Sequence, residues 1–490
     1  MTKRSEVAVR KVLGSLLVVP IAAVVLTVSP QAQAQAPSAP IDPRIVKLLA
    51  SISEEHLQQL LQKLTSFKTR HTCSDPSAPD AIGAARQWIY DELKRTSPKL
   101  QVSFDTHQLP TVRGCAGAIE LRNVMAILPG RTPRRIYVSG HYDSVSLGAG
   151  GQQTSNAQGA GGPQGARGAP GATRPGAAPQ APGEPASPDQ PPAPRPIRDP
   201  NVPAPGANDD GSGTVLSMEL ARVFAESGIE FDATLVFMTV AGEEEGLLGA
   251  AAHAKQAKAD KTPIQAWFNN DIVGGSRGGD GIIDSATIRV YSEGPEDSPS
   301  RSLAIFTRRI AAEYVPSHQI RLMARRDRFS RGGDHSALNA EGFAAVGFRE
   351  SRENYSKQHG PNDTIDGVDF HYLAQNARAN AAAMATLALA PPPPVVVSQR
   401  GAPTIDRRPS GYDAHLRWQA SPGAAGYRVL WRKAWAPDWE QELAVGGVLE
   451  YTFPHMNIDD WVFGVAAVDA AGHESTVSPY VMPVRVEPGS

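Results

Sequence analysis

The run Ala233–Val240, ATLVFMTV, carries no charge and reads as a buried strand. What it can belong to is decided by its neighbours. Strand-like runs also occupy Gln101–Leu109, Ile119–Leu128, 135–139 and 264–272, while helical apolar spacing marks 45–67, 81–95, 213–225, 247–257, 304–314 and 373–389. Within the first helical stretch, for example, Leu57, Leu60, Leu61 and Leu64 fall on one face. Strands alternating with helices predict an α/β fold, a mixed and largely parallel sheet flanked by helices, with ligands at the carboxyl ends of its strands.

Those ends carry ionisable residues. His141 and Asp143 lie in SGHYDS, Asp209 and Asp210 in GANDDGSG, Glu243 and Glu244 in GEEEG, Asp271 in FNNDIVGG, and His359 in QHGPNDT. Taken singly, each has a bland explanation: a hydrogen-bonded histidine, a turn, a helix cap, or glutamates favoured by a helix dipole. Taken together they do not, because clustered ionisable groups at successive strand ends cost folding energy unless a metal compensates. Adjacent carboxylates such as Glu243 and Glu244 can then divide the work of ligand and general base. Two imidazoles and three carboxylates are the donor set expected for two zinc ions with one carboxylate shared, whereas calcium would call for more oxygens and no imidazole.

The rest of the chain sets the context. A net charge of -2 and pI ≈ 6.6 argue against a nucleic-acid partner. Lys3, Arg4, Arg10 and Lys11 precede an apolar run over 12–28 and small residues around 32–36, the order of a signal peptide over 1–36. A secreted or periplasmic protein with no membrane contact after signal removal is expected. In an oxidising compartment the only two cysteines, Cys73 and Cys115, would pair. Gly, Pro, Ala, Gln and Ser dominate 146–205, read as a disordered insertion in a catalytic domain spanning 44–390. Pro391 to Pro394 open a proline-rich linker over 391–400. Beyond it the apolar period falls to two, with Leu416 and Trp418, then Tyr427, Val429 and Trp431, then Trp461, Phe463, Val465 and Ala467, suggesting a small all-β sandwich.

The order of the five strand-end motifs resembles that of the M28 family of zinc metallopeptidases, the aminopeptidase group that also includes some carboxypeptidases and the related glutaminyl cyclases. The resemblance covers about 45–390. It implies two zinc ions per chain: Asp209 bridging, His141 and Asp271 completing one site, Glu244 and His359 the other, with a cis peptide after Asp209. It also implies Glu243 as general base toward a metal-activated water and Asp143 as the group orienting His141. The expected activity is an exopeptidase removing N-terminal residues from peptides. The alternatives are a carboxypeptidase, a one-zinc cyclase-like transferase, and an inactive secreted binding protein. Asp334-His335 is expected near the pocket; Glu350 or Glu353 could hold a substrate ammonium and Arg349 a carboxylate, or all three could be solvated loop charges. The runs GYRVLWR and WVFGVAAVDAAGHES resemble a fibronectin type III domain over 401–486, which implies a spacer or a module for a surface or protein partner.

Overall fold

The computed structural model of the chain describes residues 41–112, 114–147, 199–329 and 331–482. The expected signal peptide and most of the expected insertion lie outside them. Eight strands form one mixed sheet: β1 (Gln101–Leu109), β2 (Ile119–Leu128), β3 (Thr132–His141), β4 (Ala233–Val240), β5 (Ile264–Asn270), β6 (Thr287–Ser292), β7 (Gln319–Met323) and β8 (Ala345–Glu350). Their order across the sheet is β1-β2-β4-β3-β5-β8-β6-β7. The four central strands β4, β3, β5 and β8 run parallel, so their carboxyl ends open along one edge. Antiparallel pairing flanks them, at β1/β2 and β2/β4 on one side and β6/β8 on the other.

Helices cover both faces, which is why β4 is buried at every position. Among the described residues the α-helices are α1 (Pro43–Ala50), α2 (Glu54–Thr65), α3 (Ile82–Thr96), α4 (Ser212–Glu226), α5 (Leu248–Ala259), α6 (Pro299–Tyr314), α7 (His335–Ala340) and α8 (Phe370–Leu389). Ile136, Val138 and Phe237 pack on the face shared with α4 and α8, whereas Tyr137, Val236 and Trp267 pack on the face shared with α5 and α7. This is the period of two expected of a strand between two layers. Alanines dominate the buried surface of α8, allowing it to lie close under the sheet. The N-terminal stretch 45–67 is two helices rather than one. Ser53 ends the continuity: its side chain accepts from the His56 amide at 3.1 Å and its own amide donates to Glu219 Oε1 at 2.8 Å.

Cys73 and Cys115 form a disulfide across a sequence separation of 42, clipping the loop after α2 to the β1–β2 connection. Beyond 390 lie seven short strands: β9 (Ile405–Asp406), β10 (Ala414–Arg417), β11 (Gly426–Lys433), β12 (Gln441–Gly446), β13 (Glu450–Phe453), β14 (Trp461–Val468) and β15 (Ser478–Pro479). They pair antiparallel in two sheets, β12-β11-β14-β15 and β13-β10-β9. Leu416, Trp418, Tyr427, Val429, Trp431, Phe463, Val465 and Ala467 form a core separate from that of the large sheet. Polar contacts join the two parts, among them Arg432 to Asp297 at 2.5 Å, Arg309 to Glu474 at 2.6 Å and His473 to Asp42 at 2.9 Å. Among the described residues no helix is long and apolar enough to cross a membrane.

Candidate metal centre

Strand ends place most of the ionisable cluster. His141 closes β3, Asp271 follows β5 directly, and Glu243 and Glu244 lie in the turn after β4. Asp209 sits in the turn 207–211 that leads into α4, and His359 in the loop between β8 and α8. The close approach of the start of α4 to β3 depends on glycine: a Cβ on Gly140 would lie 2.2 Å from the carbonyl carbon of Gly213. His359 has φ 52, and Ile272, after Asp271, has φ 58, conformations a non-glycine residue holds only when its surroundings fix it.

All five expected ligands meet there. Asp209 faces both ways: Oδ1 lies 3.4 Å from His141 Nε2, and Oδ2 lies 3.0 Å from His359 Nε2. On the first side, His141 Nε2 is 3.8 Å from Asp271 Oδ1; on the second, His359 Nε2 is 3.2 Å from Glu244 Oε1. Glu243 Oε2 stands 3.9 Å from His141 Nε2. The buried His141 Nε2 makes no hydrogen bond. A tetrahedral zinc with ligands at about 2.0–2.1 Å holds its donor atoms about 3.3 Å apart, a spacing that the donor atoms here, 3.0 to 3.8 Å from one another, can meet. The residues fit the metal.

Asp210 also lies within reach of His141 and Asp271. Its oxygens are already engaged, accepting from the amides of His141, Gly213 and Ile272 at 2.9, 2.9 and 3.1 Å, which makes it a brace for the ligand-bearing turns. The Asp209–Asp210 peptide is cis. Asp143 is fully buried and its carboxylate accepts from the amides of Glu243 and Glu244, both at 3.2 Å, and from the Thr72 hydroxyl. It is the Asp143 carbonyl, at 3.1 Å, that meets His141 Nδ1; the carboxylate is 3.5 Å away. Asp143 thus meets His141 Nδ1 through both its carbonyl and its carboxylate, and the carboxylate also holds the two glutamate amides.

Two further supports were given no role by the sequence. Arg70, fully buried, donates to the carbonyls of Tyr142, Pro205 and Gly206 at 2.7, 2.6 and 2.8 Å, tying the His141 strand end to the Asp209 turn. Asp363, in the NDT that follows His359, accepts from the amides of Asn208 and Asp209 at 3.0 and 2.9 Å. An aspartate near a ligand is a signal that sequence could have offered for Asp363; Arg70 has none.

Burial alone would neutralise the cluster. Instead the neighbours oppose it: burial pulls His359 down, but Glu244 and Asp209 raise it to about 10. His141 is likewise lowered by burial yet lifted well above its usual value by Glu243, Asp143, Asp209 and Asp271. Asp334 is fully buried, and burial pushes it up to about 8. Arg349 is buried and bonds Asp271 through Nη2. Glu350 and Glu353 are not solvated loop charges. Glu350 accepts from Asn208 at 2.8 Å and the Gly275 amide at 2.7 Å, and Glu353 is enclosed by arginines, so neither is placed to hold an ammonium.

Comparison with known proteins points to a zinc metallopeptidase. Residues 187–384 match Peptidase family M28, a span holding Asp209, Glu243, Glu244, Asp271 and His359 but not His141 or Asp143. A probable zinc metalloprotease of Leptosphaeria maculans is 32% identical, with 90% of this chain and 96% of that protein covered. A second, from Pyricularia oryzae, is 31% identical over 89% of this chain and 83% of its own. Among solved structures, the LapA aminopeptidase of Legionella pneumophila shares the fold, with a TM-score of 0.50 at 16% identity, covering 72% of this chain and 78% of that one.

Proposed function

The chain belongs to peptidase family M28, and from that premise we propose that this zinc metallopeptidase is an exported exopeptidase with two zinc ions per chain that removes N-terminal residues from peptides. One observation carries the two-metal reading: the two oxygens of Asp209 face different imidazoles, His141 at 3.4 Å and His359 at 3.0 Å. His141 and Asp271 would hold one ion, Glu244 and His359 the other, and Asp209 both. When bound, zinc supplies Lewis acidity toward the scissile carbonyl and the attacking water. Glu243 takes the proton of that water and returns it to the leaving amine. The turn that carries it is held by Asp143, whose carboxylate receives the Glu243 and Glu244 amides. Arg349 occupies the second oxygen of Asp271, leaving Oδ1 to the centre.

The test is elemental analysis alongside a panel of aminoacyl chromogenic amides and amino-blocked peptides with free carboxyl ends. About two zinc per chain with cleavage confined to free-amine substrates is the expected result. Cleavage confined to blocked peptides would make it a carboxypeptidase. One zinc with cyclisation of N-terminal glutamine would replace hydrolysis by transferase chemistry, and zinc without any turnover would leave a binding protein.

A further inference from the structure

The turn that carries Glu243 and Glu244 needs support from outside itself, because Leu247 within it has φ 60, a backbone that a non-glycine residue holds only when its surroundings fix it. Asp143 holds the glutamate amides, and the two stems of the turn are held by Asn123, a fully buried side chain on β2. Asn123 Oδ1 accepts from the Ala241 amide at 2.9 Å, and its Nδ2 donates to the Gly249 carbonyl at 3.2 Å. The stems also meet each other, the Gly249 amide donating to the Ala241 carbonyl at 3.0 Å. A Cβ on Gly249 would lie 2.2 Å from Asn123 Oδ1, so this clamp requires glycine there. Asn123 is oriented in turn by Asp105, directly opposite it on β1, whose Oδ2 receives Asn123 Nδ2 at 2.8 Å. The same oxygen lies 2.9 Å from His253 Nδ1 on α5 and 3.0 Å from His107 Nε2 on β1, while Tyr137 on β3 packs edge-on against the His253 ring at 5.5 Å. Burial works to raise the Asp105 carboxyl, but His253, Asn123 and His107 hold it below its usual value, so it stays an acceptor at neutral pH. Facing a carboxylate, the Asn123 amide has one useful orientation: nitrogen toward Asp105, oxygen toward Ala241.

Resting on the exopeptidase reading with Glu243 as general base, we propose that Asn123, oriented by Asp105, is a positioning residue for that reaction, fixing the stems of the turn so that Glu243 meets the attacking water. The zinc-loaded full chain is assayed for kcat and KM on aminoacyl chromogenic amides, with zinc content measured on the same preparations. Asn123→Asp keeps the shape and the acceptor for Ala241 but sets a second carboxylate against Asp105 and the Gly249 carbonyl. Its kcat is expected to fall about tenfold at about pH 8, with KM changed less than about twofold and zinc at the wild-type level. Like charge makes the new carboxyl hold its proton to higher pH. The ratio of variant to wild-type kcat should therefore rise on acidification, as the protonated group donates to Asp105 again. Asp105→Asn removes the charge that fixes the Asn123 amide; a loss of about threefold in kcat is expected, and this variant carries the test should Asn123→Asp fail to fold. Gln108→Ala, on the same strand with its side chain on exposed Glu120, is the control and should match the wild type. Wild-type kcat in both variants, a kcat ratio flat across pH, or a loss of kcat in proportion to lost zinc overturns the inference while leaving the exopeptidase intact. Absence of hydrolysis by the zinc-loaded wild type overturns the exopeptidase reading, and this inference with it.

Discussion

Glu243 and Glu244 are neighbours in sequence with opposite demands on them. In the proposed reaction one binds metal and the other moves a proton, and their backbone amides are both held by the Asp143 carboxylate. Glu243→Gln keeps the shape and removes the basicity, so zinc content should stay at the wild-type level while kcat falls about 10²–10⁴-fold. Asp209→Ala removes the group both imidazoles face, and the purified variant should lose zinc; if it keeps two ions per chain, the bridging assignment is wrong. Arg70 shows how far support extends beyond the ligands. Replacing it with methionine fills similar volume but takes the donor from the carbonyls of Tyr142 and Pro205 and leaves Gly206 with the Gly211 amide alone, each lost partner worth about 1–3 kcal/mol. Urea unfolding should show a loss of about 3 kcal/mol or more, with weakened zinc affinity; a loss under about 1 kcal/mol would mean that water substitutes freely for the guanidinium.

The elements most legible in the sequence are those whose burial is uniform. Strand β4 and the Ala-rich α8 declare themselves because one is buried at every position and the other nearly so. Strands β6, β7 and β8 did not, being five or six residues long and mixing arginines into the apolar run. In β8 the reason is functional: Arg349 and Glu350 are buried charges that serve the site, so the pattern that marks a strand is broken where the site needs it. The candidate ligands at strand ends could be read from sequence, as could Asp143 and Asp210, but Arg70 and Thr72 could not, since they belong to a loop that no periodicity marks. That loop is held at Cys73, next to the Thr72 hydroxyl on Asp143. Removing the bridge in Cys73→Ser/Cys115→Ser restores entropy to the unfolded chain and should lower stability on the order of 4 kcal/mol. Zinc-loaded kcat should fall as well, because Thr72 loses its anchor; melting temperature and turnover measured on the same preparation separate the two effects.

At the scale of the molecule, the two cores are distinct and their junction is ionic, with no apolar cluster spanning it among the described residues. Asp42 illustrates the consequence. It caps α1 through the Arg44 amide at 2.7 Å, pairs with the Arg44 guanidinium, and reaches His473 of the β region at 2.9 Å. Partial burial works to raise its pKa, but Arg44 and His473 together bring it down from 3.8 to about 2. A carboxylate depressed in the folded state stabilises it fully above its unfolded pKa and ceases to do so as pH falls through the folded value. The contribution of Asp42 should therefore be constant above about pH 4 and vanish toward pH 2. With Arg44 half exposed and screened, its size is about 1 kcal/mol. Thermal melts of the wild type and Asp42→Asn should differ by about one degree at neutral pH and converge on acidification. A gap that persists at pH 2 would assign the effect to the helix cap's shape rather than its charge, because asparagine also caps well.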